Sequence, residues 1–258
     1  MTRWIRQCGL VLAGLAPGPI ARVLYRVAFG YRIDRTARIG FAYLDCERLS
    51  IGPETVIDHG VVFTRCGDVS IGLGTRIGPM NLFRGGTRIA LGEYVTILRL
   101  NIFNAIPDHE CVGAPDSSIS LGRGAVVTQE HRLDFTDRIT IGRAAIIAGR
   151  GTSMWTHNRR KSGTVEIGEY TYIGSESRLG PGSHVGRCCI VGMGAVVIKR
   201  FEEPYQLLAG VPVAKRRALT PDDYGTIFLR TRTDLPDDGY RPEAPPGSAA
   251  PLRFEDYY

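Results

Sequence analysis

Residues 165–200 read VEIGEYTYIGSESRLGPGSHVGRCCIVGMGAVVIKR, and an aliphatic side chain returns at every sixth position: Ile167, Ile173, Leu179, Val185, Val191, Val197. Glycine follows the first five at once, at Gly168, Gly174, Gly180, Gly186 and Gly192. A period of six does not match the helical 3.6, so no amphipathic helix keeps these residues on one side. It suits short strands joined by regular corners, with the aliphatic residue pointing inward and glycine relieving crowding beside it. A single hairpin sheet with glycine turns does not account for a period held across six units.

The phase extends backwards. Ile51, Ile71, Leu91, Leu121 and Ile141 each open an (Ile/Leu)-Gly pair, twenty residues apart except for one gap of thirty. Each twenty divides into six, six and eight, which gives three faces per coil. The second face then holds Ile57, Ile77, Ile97, Val127, Ile147, Ile173 and Val191. The third holds Phe63, Phe83, Phe103, Leu133, Ser153, Leu179 and Val197. Such a chain is predicted to be an all-β triangular prism of parallel strands, with coils ~4.8 Å apart. Its core is one continuous column, so no coil is stable alone and the ends need capping.

Two segments resemble the hexapeptide-repeat acyltransferases. Val191-Gly-Met-Gly-Ala-Val-Val-Ile-Lys199 is similar to the closing coil of that family, and Leu208-Ala-Gly-Val-Pro-Val-Ala-Lys-Arg216 to the segment that ends its helix. The resemblance covers about residues 33–217 and implies a left-handed parallel β-helix; the handedness comes from it and not from the spacing. Short helical pieces are expected at both ends, giving a capping segment 1–32, the β-helix 33–217 and a C-terminal segment 218–258.

The chain has 258 residues, a formal net charge of +6 and six cysteines, Cys8, Cys46, Cys66, Cys111, Cys188 and Cys189, without CxxC or metal-ligand spacing. They read as reduced, mostly buried thiols of a cytosolic protein. No basic run interleaved with aromatics is present, which argues against nucleic acid; a mild positive field suits a polyanionic ligand such as coenzyme A, or an anionic membrane surface. Residues 1–30 are apolar with scattered arginines and no acids, and Pro17 and Pro19 break them before they can span a bilayer. Ile20 to Phe29 has helical spacing and is expected to cap the prism, with membrane contact as the competing reading. Residues 104–118 and 159–164 interrupt the register and are expected to protrude as recognition loops. Thr220-Pro-Asp-Asp has the form of a helix start, and the Pro- and Gly-rich residues 235–252 are expected to be disordered.

Four positions after each inward aliphatic the residue is usually small, as at Thr55, Ala125, Gly151, Ser177 and Ala195. Histidine takes that slot at His131 and His157, and such violations of a local rule are expected at functional sites. The stretch Ile147-Ala-Gly-Arg-Gly-Thr-Ser-Met-Trp-Thr-His157 resembles the family's segment in which Thr-His carries the catalytic base before a loop, most closely in the branch that O-acetylates sugars and polysaccharides, where a histidine like His131 recurs. The chemistry asks for an imidazole: an attacking sugar hydroxyl must lose its proton, and the departing thiolate must gain one. His131 lies one coil earlier on another face, and the resemblance implies a homotrimer in which a neighbour's His131 faces His157. Asn81, Asn101 and His131 also share one column, which reads equally as a structural ladder. Asp137 is the candidate to orient the His157 ring. His59, His109 and His184 read as solvated or structural.

Through the resemblance, acetyl-CoA is the expected acyl donor, lying along Ser175, Met193 and Gly194 with its phosphates near Lys199, Arg200, Lys215 and Arg216, and no metal is required. Asn101, Trp155 and Tyr172 are the candidates for the acceptor, Tyr172 standing where the family often has Trp. The acceptor is expected to be a sugar or glycan hydroxyl, with an amine of an amino sugar or antibiotic as the alternative. Two other functions share such a prism: a zinc carbonic anhydrase, which needs a close histidine pair that residues 158–163 do not supply, and a non-catalytic glycan-binding scaffold.

Overall fold

The computed structural model describes residues 3–106, 116–159, 161–228 and 235–245. Most of them wind into the expected left-handed parallel β-helix. Inward residues stack in register from coil to coil. On the first face Ile51, Ile71, Leu91, Leu121, Ile141, Ile167 and Val185 are paired in turn, and on the second Ile39, Ile57, Ile77, Ile97, Val127, Ile147, Ile173, Val191 and Leu208. All are buried, and each fully buried aliphatic or aromatic side chain stabilises the column by roughly 1.5–3 kcal/mol. On the third face the rings of Phe63, Phe83 and Phe103 stack with centroids 4.3 and 4.4 Å apart, following from their identical position in successive coils.

The third face corrects the expected register at one place. Leu133 pairs with Met154, and Met154 with Leu179; Ser153 is not the inward residue. The corner Ala148-Gly149-Arg150-Gly151 holds one residue more than its neighbours, and the pairing shifts there, with Gln129 opposite Arg150. Gly149 and Gly151 both take positive φ, and a Cβ on Gly149 would fall 1.7 Å from Ser175 Oγ, so the corner turns wide only because glycine occupies it. Thr152, not Gly151, therefore fills the small buried slot, and His157 does not occupy such a slot at all.

Two of the corners differ. Between the second and third faces the corner stays short, apart from the extra residue at 148–151, and is bonded internally through Asn81, Asn101, His131 and Thr152. Between the third and first faces the strands Ala42–Ile51 and Val61–Ile71 run straight through the bend, but in later coils the sequence makes two excursions from the six-residue register here. At one, Ala105 is still buried and Ile106 N–H donates to Thr136 Oγ1, and residues 107–115 of the loop expected over 104–118 lie outside the described part. The other is a small antiparallel hairpin in which His157 pairs with Ser162 and Asn158 with Lys161.

Two helices close the N-terminal end, α1 (Arg3–Leu15) and α2 (Gly18–Phe29); the sequence indicated only the second. Pro17 ends α1, Pro19 lies in the first turn of α2, and Gly30 closes α2 in the left-handed conformation. Leu10, Ala13, Ala21 and Tyr25 are buried against the first coils, and Tyr25 Oη donates to Ala42 O at 2.7 Å. At the other end α3 (Pro221–Ile227) starts where expected, closed by a capping box of Thr220 and Asp223, and packs through Tyr224 and Ile227 near Cys188 and Tyr205. Residues 235–245 are not free of the prism: Asp238 pairs with Arg123 and Arg143, Arg143 stacks 4.5 Å from the Tyr240 ring, and Tyr205 Oη donates to Glu243 O. The expectation of disorder for 246–252 lies outside the described residues. Cys46, Cys66, Cys188 and Cys189 are buried free thiols and Cys8 is an exposed one.

Candidate active site

His157 stands where the second excursion leaves the corner, and its ring is largely covered. Its Nδ1 lies 3.1 Å from Asp134 Oδ1, with side-chain exposures of 15% and 2%. The geometry is not that of a hydrogen bond, and Nδ1 has no hydrogen-bond partner among the described residues. Catalytic hydrogen bonds are commonly loose of this kind before substrates are seated. Asp134 is fixed from beneath: its Oδ1 accepts from Thr136 N at 3.2 Å and Thr136 Oγ1 at 2.8 Å, while Asn104 Nδ2, one coil below, donates to Oδ2 at 3.4 Å. A carboxylate this buried requires partners. Asn104, Asp134 and Trp155 occupy matching positions in three successive coils, directly after the inward Phe103, Leu133 and Met154.

Asp134 takes the place expected for Asp137. The Asp137 carboxylate accepts from the N–H of Arg138, and its own N–H donates to Thr156 Oγ1, so it caps the turn and does not face the imidazole. Trp155, two residues from His157, is 39% exposed, with the Arg132 guanidinium 5.7 Å from its ring centroid.

His131 belongs to the closed corner. Thr152 N–H donates to its Nδ1 at 3.1 Å, which leaves Nε2–H to face Thr128 Oγ1 at 2.9 Å; both ring nitrogens are used. Below it Asn101 Oδ1 accepts from His131 N–H at 2.9 Å, and Asn81 Oδ1 accepts from Asn101 N–H and Nδ2. Burial pushes the His131 imidazole down to about 4, so it is neutral at pH 7. These contacts assign His131 and Asn101 to a buried ladder, Asn81–Asn101–His131–Thr152, which correction removes them from the candidate base and acceptor sets.

The other expected residues are spread over the prism. Ser175 and the exposed Met193 and Gly194 lie at the corner between the second and third faces, the opposite edge of the third face from His157. One chain alone does not bring them to the imidazole. Tyr172 packs with Ile190 and Leu207 against the cluster around α3 and does not face His157. Arg200 is paired with Glu166 and Glu202, Lys215 with Glu203, Arg216 Nε donates to Ala209 O, and Lys199 lies 5.2 Å from the Phe201 ring centroid. His59 Nδ1 accepts from Phe41 N–H, His184 pairs with Glu166 at 2.7 Å, and His109 is outside the described residues. Among the described residues no three His, Cys, Asp or Glu side chains converge as a metal set.

These features define a left-handed β-helix with a buried histidine–carboxylate pair at the corner where the register is twice interrupted. By sequence the chain matches no family model and no curated protein. Among solved structures it is similar to the polysialic acid O-acetyltransferase OatWY, at 16% identity and a TM-score of 0.53 over 73% of this chain and 84% of that one. It also resembles the polysialic-acid-specific acetyltransferase NeuO (16% identity, TM-score 0.47, 73% and 80% covered). A third is a hexapeptide-repeat acetyltransferase of Vibrio cholerae complexed with acetyl coenzyme A (18%, 0.39, 58% and 70%). The first of these likenesses supports the fold.

Proposed function

We propose that the protein is an acyltransferase that moves an acetyl group from acetyl-CoA to a hydroxyl of a sugar or glycan. The observation that carries the reading is the His157–Asp134 pair: a covered imidazole set against a buried carboxylate, on the corner of both excursions from the register. His157 is the general base. Asp134 holds the Nδ1 side of the ring and favours the imidazolium that forms, leaving Nε2 to work. The acceptor oxygen attacks the thioester carbonyl carbon as Nε2 takes its proton; the tetrahedral intermediate collapses, the C–S bond breaks, and the imidazolium returns the proton to the departing thiolate. A backbone N–H is the expected donor to the oxyanion. Trp155 offers a flat, partly exposed face to a sugar ring two residues from the base.

The donor binds along Ser175, Met193 and Gly194, with Lys199, Arg200, Lys215 and Arg216 near its phosphates. The edge of Ser175, Met193 and Gly194 is across the third face from His157, whereas Lys199 and Arg200 follow Val197 at the His157 corner. The site is therefore complete only when the Ser175 edge of one copy meets the His157 corner of another. A homotrimer with three shared clefts satisfies this and matches the family that the sequence resembles. A cytoplasmic protein of polysaccharide biosynthesis is the reading that accords with acetyl-CoA as donor and with the family that the sequence resembles. The test is CoA-thiol release from acetyl-CoA, with hydroxyl-bearing oligosaccharides and amino sugars as separate arms. Release that depends on the hydroxyl arm is expected. Release in the amino arm alone replaces O- by N-transfer, and none in any arm overturns the reading.

A further inference from the structure

The helical cap has a second face. On α1 the exposed large apolar residues are Trp4, Ile5, Val11, Leu12 and Leu15, and on α2 Ile20, Val23, Leu24 and Val27. Their spacings of three, four and seven make one apolar stripe per helix, opposite the buried Leu10, Ala13, Ala21 and Tyr25. Leu12 is 69% exposed and Val27 81%. Hydrophobic residues scattered singly need no explanation, but two adjacent stripes on the end of an elongated molecule mark an interaction surface. Charge indicates what covers it. All 26 acidic residues of the chain lie after position 33, whereas positions 1–33 hold five arginines, Arg3, Arg6, Arg22, Arg26 and Arg32. Arg6 and Arg22 are spent on the prism, Arg6 on Asp45 and Arg22 on the carbonyls of Arg35 and Ala37, while Arg26, Arg32 and Arg35 stay exposed at the same end of the molecule.

We propose that α1 and α2 dock the protein on an anionic lipid bilayer, lying in the headgroup layer with the stripes in the acyl region and the arginines at the phosphates. At 13 and 12 residues neither helix approaches the ~20 needed to span, so the hairpin lies on the membrane. The stripes are on the end of the prism, so the docked prism stands upright. Leu44, Phe63, Phe83, Phe103, Leu133 and Met154 are successive coils on one face, and five steps of ~4.8 Å put the His157 coil about 24 Å above the coil of Leu44. Resting on the acyl-transfer reading, this makes the acceptor class a glycan carried by a membrane anchor, with enough sugar units to reach that height.

Docking is tested without reference to activity, so its failure and that of the acyl-transfer reading are distinguishable. Flotation of the full chain is measured with phosphatidylcholine vesicles and with vesicles containing one-quarter phosphatidylglycerol. Binding to the anionic vesicles is expected to be salt-sensitive and to fall about tenfold or more in Leu12→Asp/Val27→Asp, whose sites are exposed and whose melting temperature should not move. The chain has two tryptophans. Brominated lipid should quench Trp4 in a Trp155→Phe protein and leave Trp155 unquenched in a Trp4→Phe protein. No flotation with either vesicle, quenching of Trp155 in place of Trp4, or end-to-end self-association dispersed by the same double substitution would each overturn the proposal.

Discussion

His131 and His157 are separated by one coil of the same prism, yet their surroundings differ in every respect that matters for chemistry. The corner of His131 keeps its ladder even where one coil is a residue longer, and Asn81, Asn101, His131 and Thr152 bond each to the next. The imidazole fits that ladder by spending both nitrogens on it and losing its charge. The corner of His157 changes length from coil to coil, so the ladder is broken and a carboxylate is buried beneath a ring that it touches without a hydrogen bond. A repeat protein makes a reactive group where its repetition fails. Regularity satisfies polar groups; an insertion leaves one of them with capacity to spare.

The largest effect that separates the two corners is catalytic. His157→Ala should lower thiol release by about 10²–10⁴ in turnover while leaving the melting temperature unchanged. His131→Ala should do the reverse, keeping turnover while stranding the Thr152 N–H, at about 1–3 kcal/mol of stability. Equal turnover loss in both variants would dissolve the distinction. Next comes the register that places His157 outside the small slot. Met154→Ala should destabilise by about 2–5 kcal/mol through a cavity in the column, whereas Ser153→Ala should stay within about 0.5 kcal/mol. Chemical denaturation checks both, and a reversed order would restore the uninterrupted hexads.

Asp134→Asn sharpens the comparison within the open corner. It keeps the shape and the bonds from Thr136 while removing the carboxylate charge 3.1 Å from His157 Nδ1. We expect turnover to fall about 10²-fold with the KM for acetyl-CoA unmoved, because a misoriented base costs about that much. Asp137→Asn, on the turn, should leave turnover within twofold, roughly the effect of an ordinary surface change.

How far the sequence carried these assignments depends on where it repeats. The prism and its three faces were legible because one inward aliphatic or aromatic residue per hexad is a strong, redundant signal; Phe63, Phe83 and Phe103 bear out the phase as a stack, and the third face misses at one position alone. A single additional residue between Gly149 and Gly151 left no mark in composition, and it moved the inward position from Ser153 to Met154. Counting slots through that shift leads to Asp137 and passes over Asp134. The usable signal was the thirty-residue step that pairs Phe103 with Leu133, which sets Asn104 beneath Asp134 whatever follows. The contacts of residues 235–245 were not readable, because arginines on a corner column and acids in a Pro-rich tail each look solvated until the fold brings them together.

The smallest effect separates the corners by proton uptake. An ordinary histidine titrates near 6.5, while burial holds folded His131 down at about 4. Above pH 6.5 neither the folded nor the unfolded chain binds the proton, and this residue's contribution to stability is fully present. Between 6.5 and 4 only the unfolded chain takes it up, so stability falls with pH and by pH 5 has lost about 2 kcal/mol from this site. In His131→Asn the ladder keeps a hydrogen-bonding side chain without a titrating one. Its unfolding free energy should therefore decline less than that of the natural protein between pH 7.5 and pH 5, by about that amount. Parallel declines in the two proteins would mean that the ring at position 131 is protonated without cost, which its two internal hydrogen bonds do not permit.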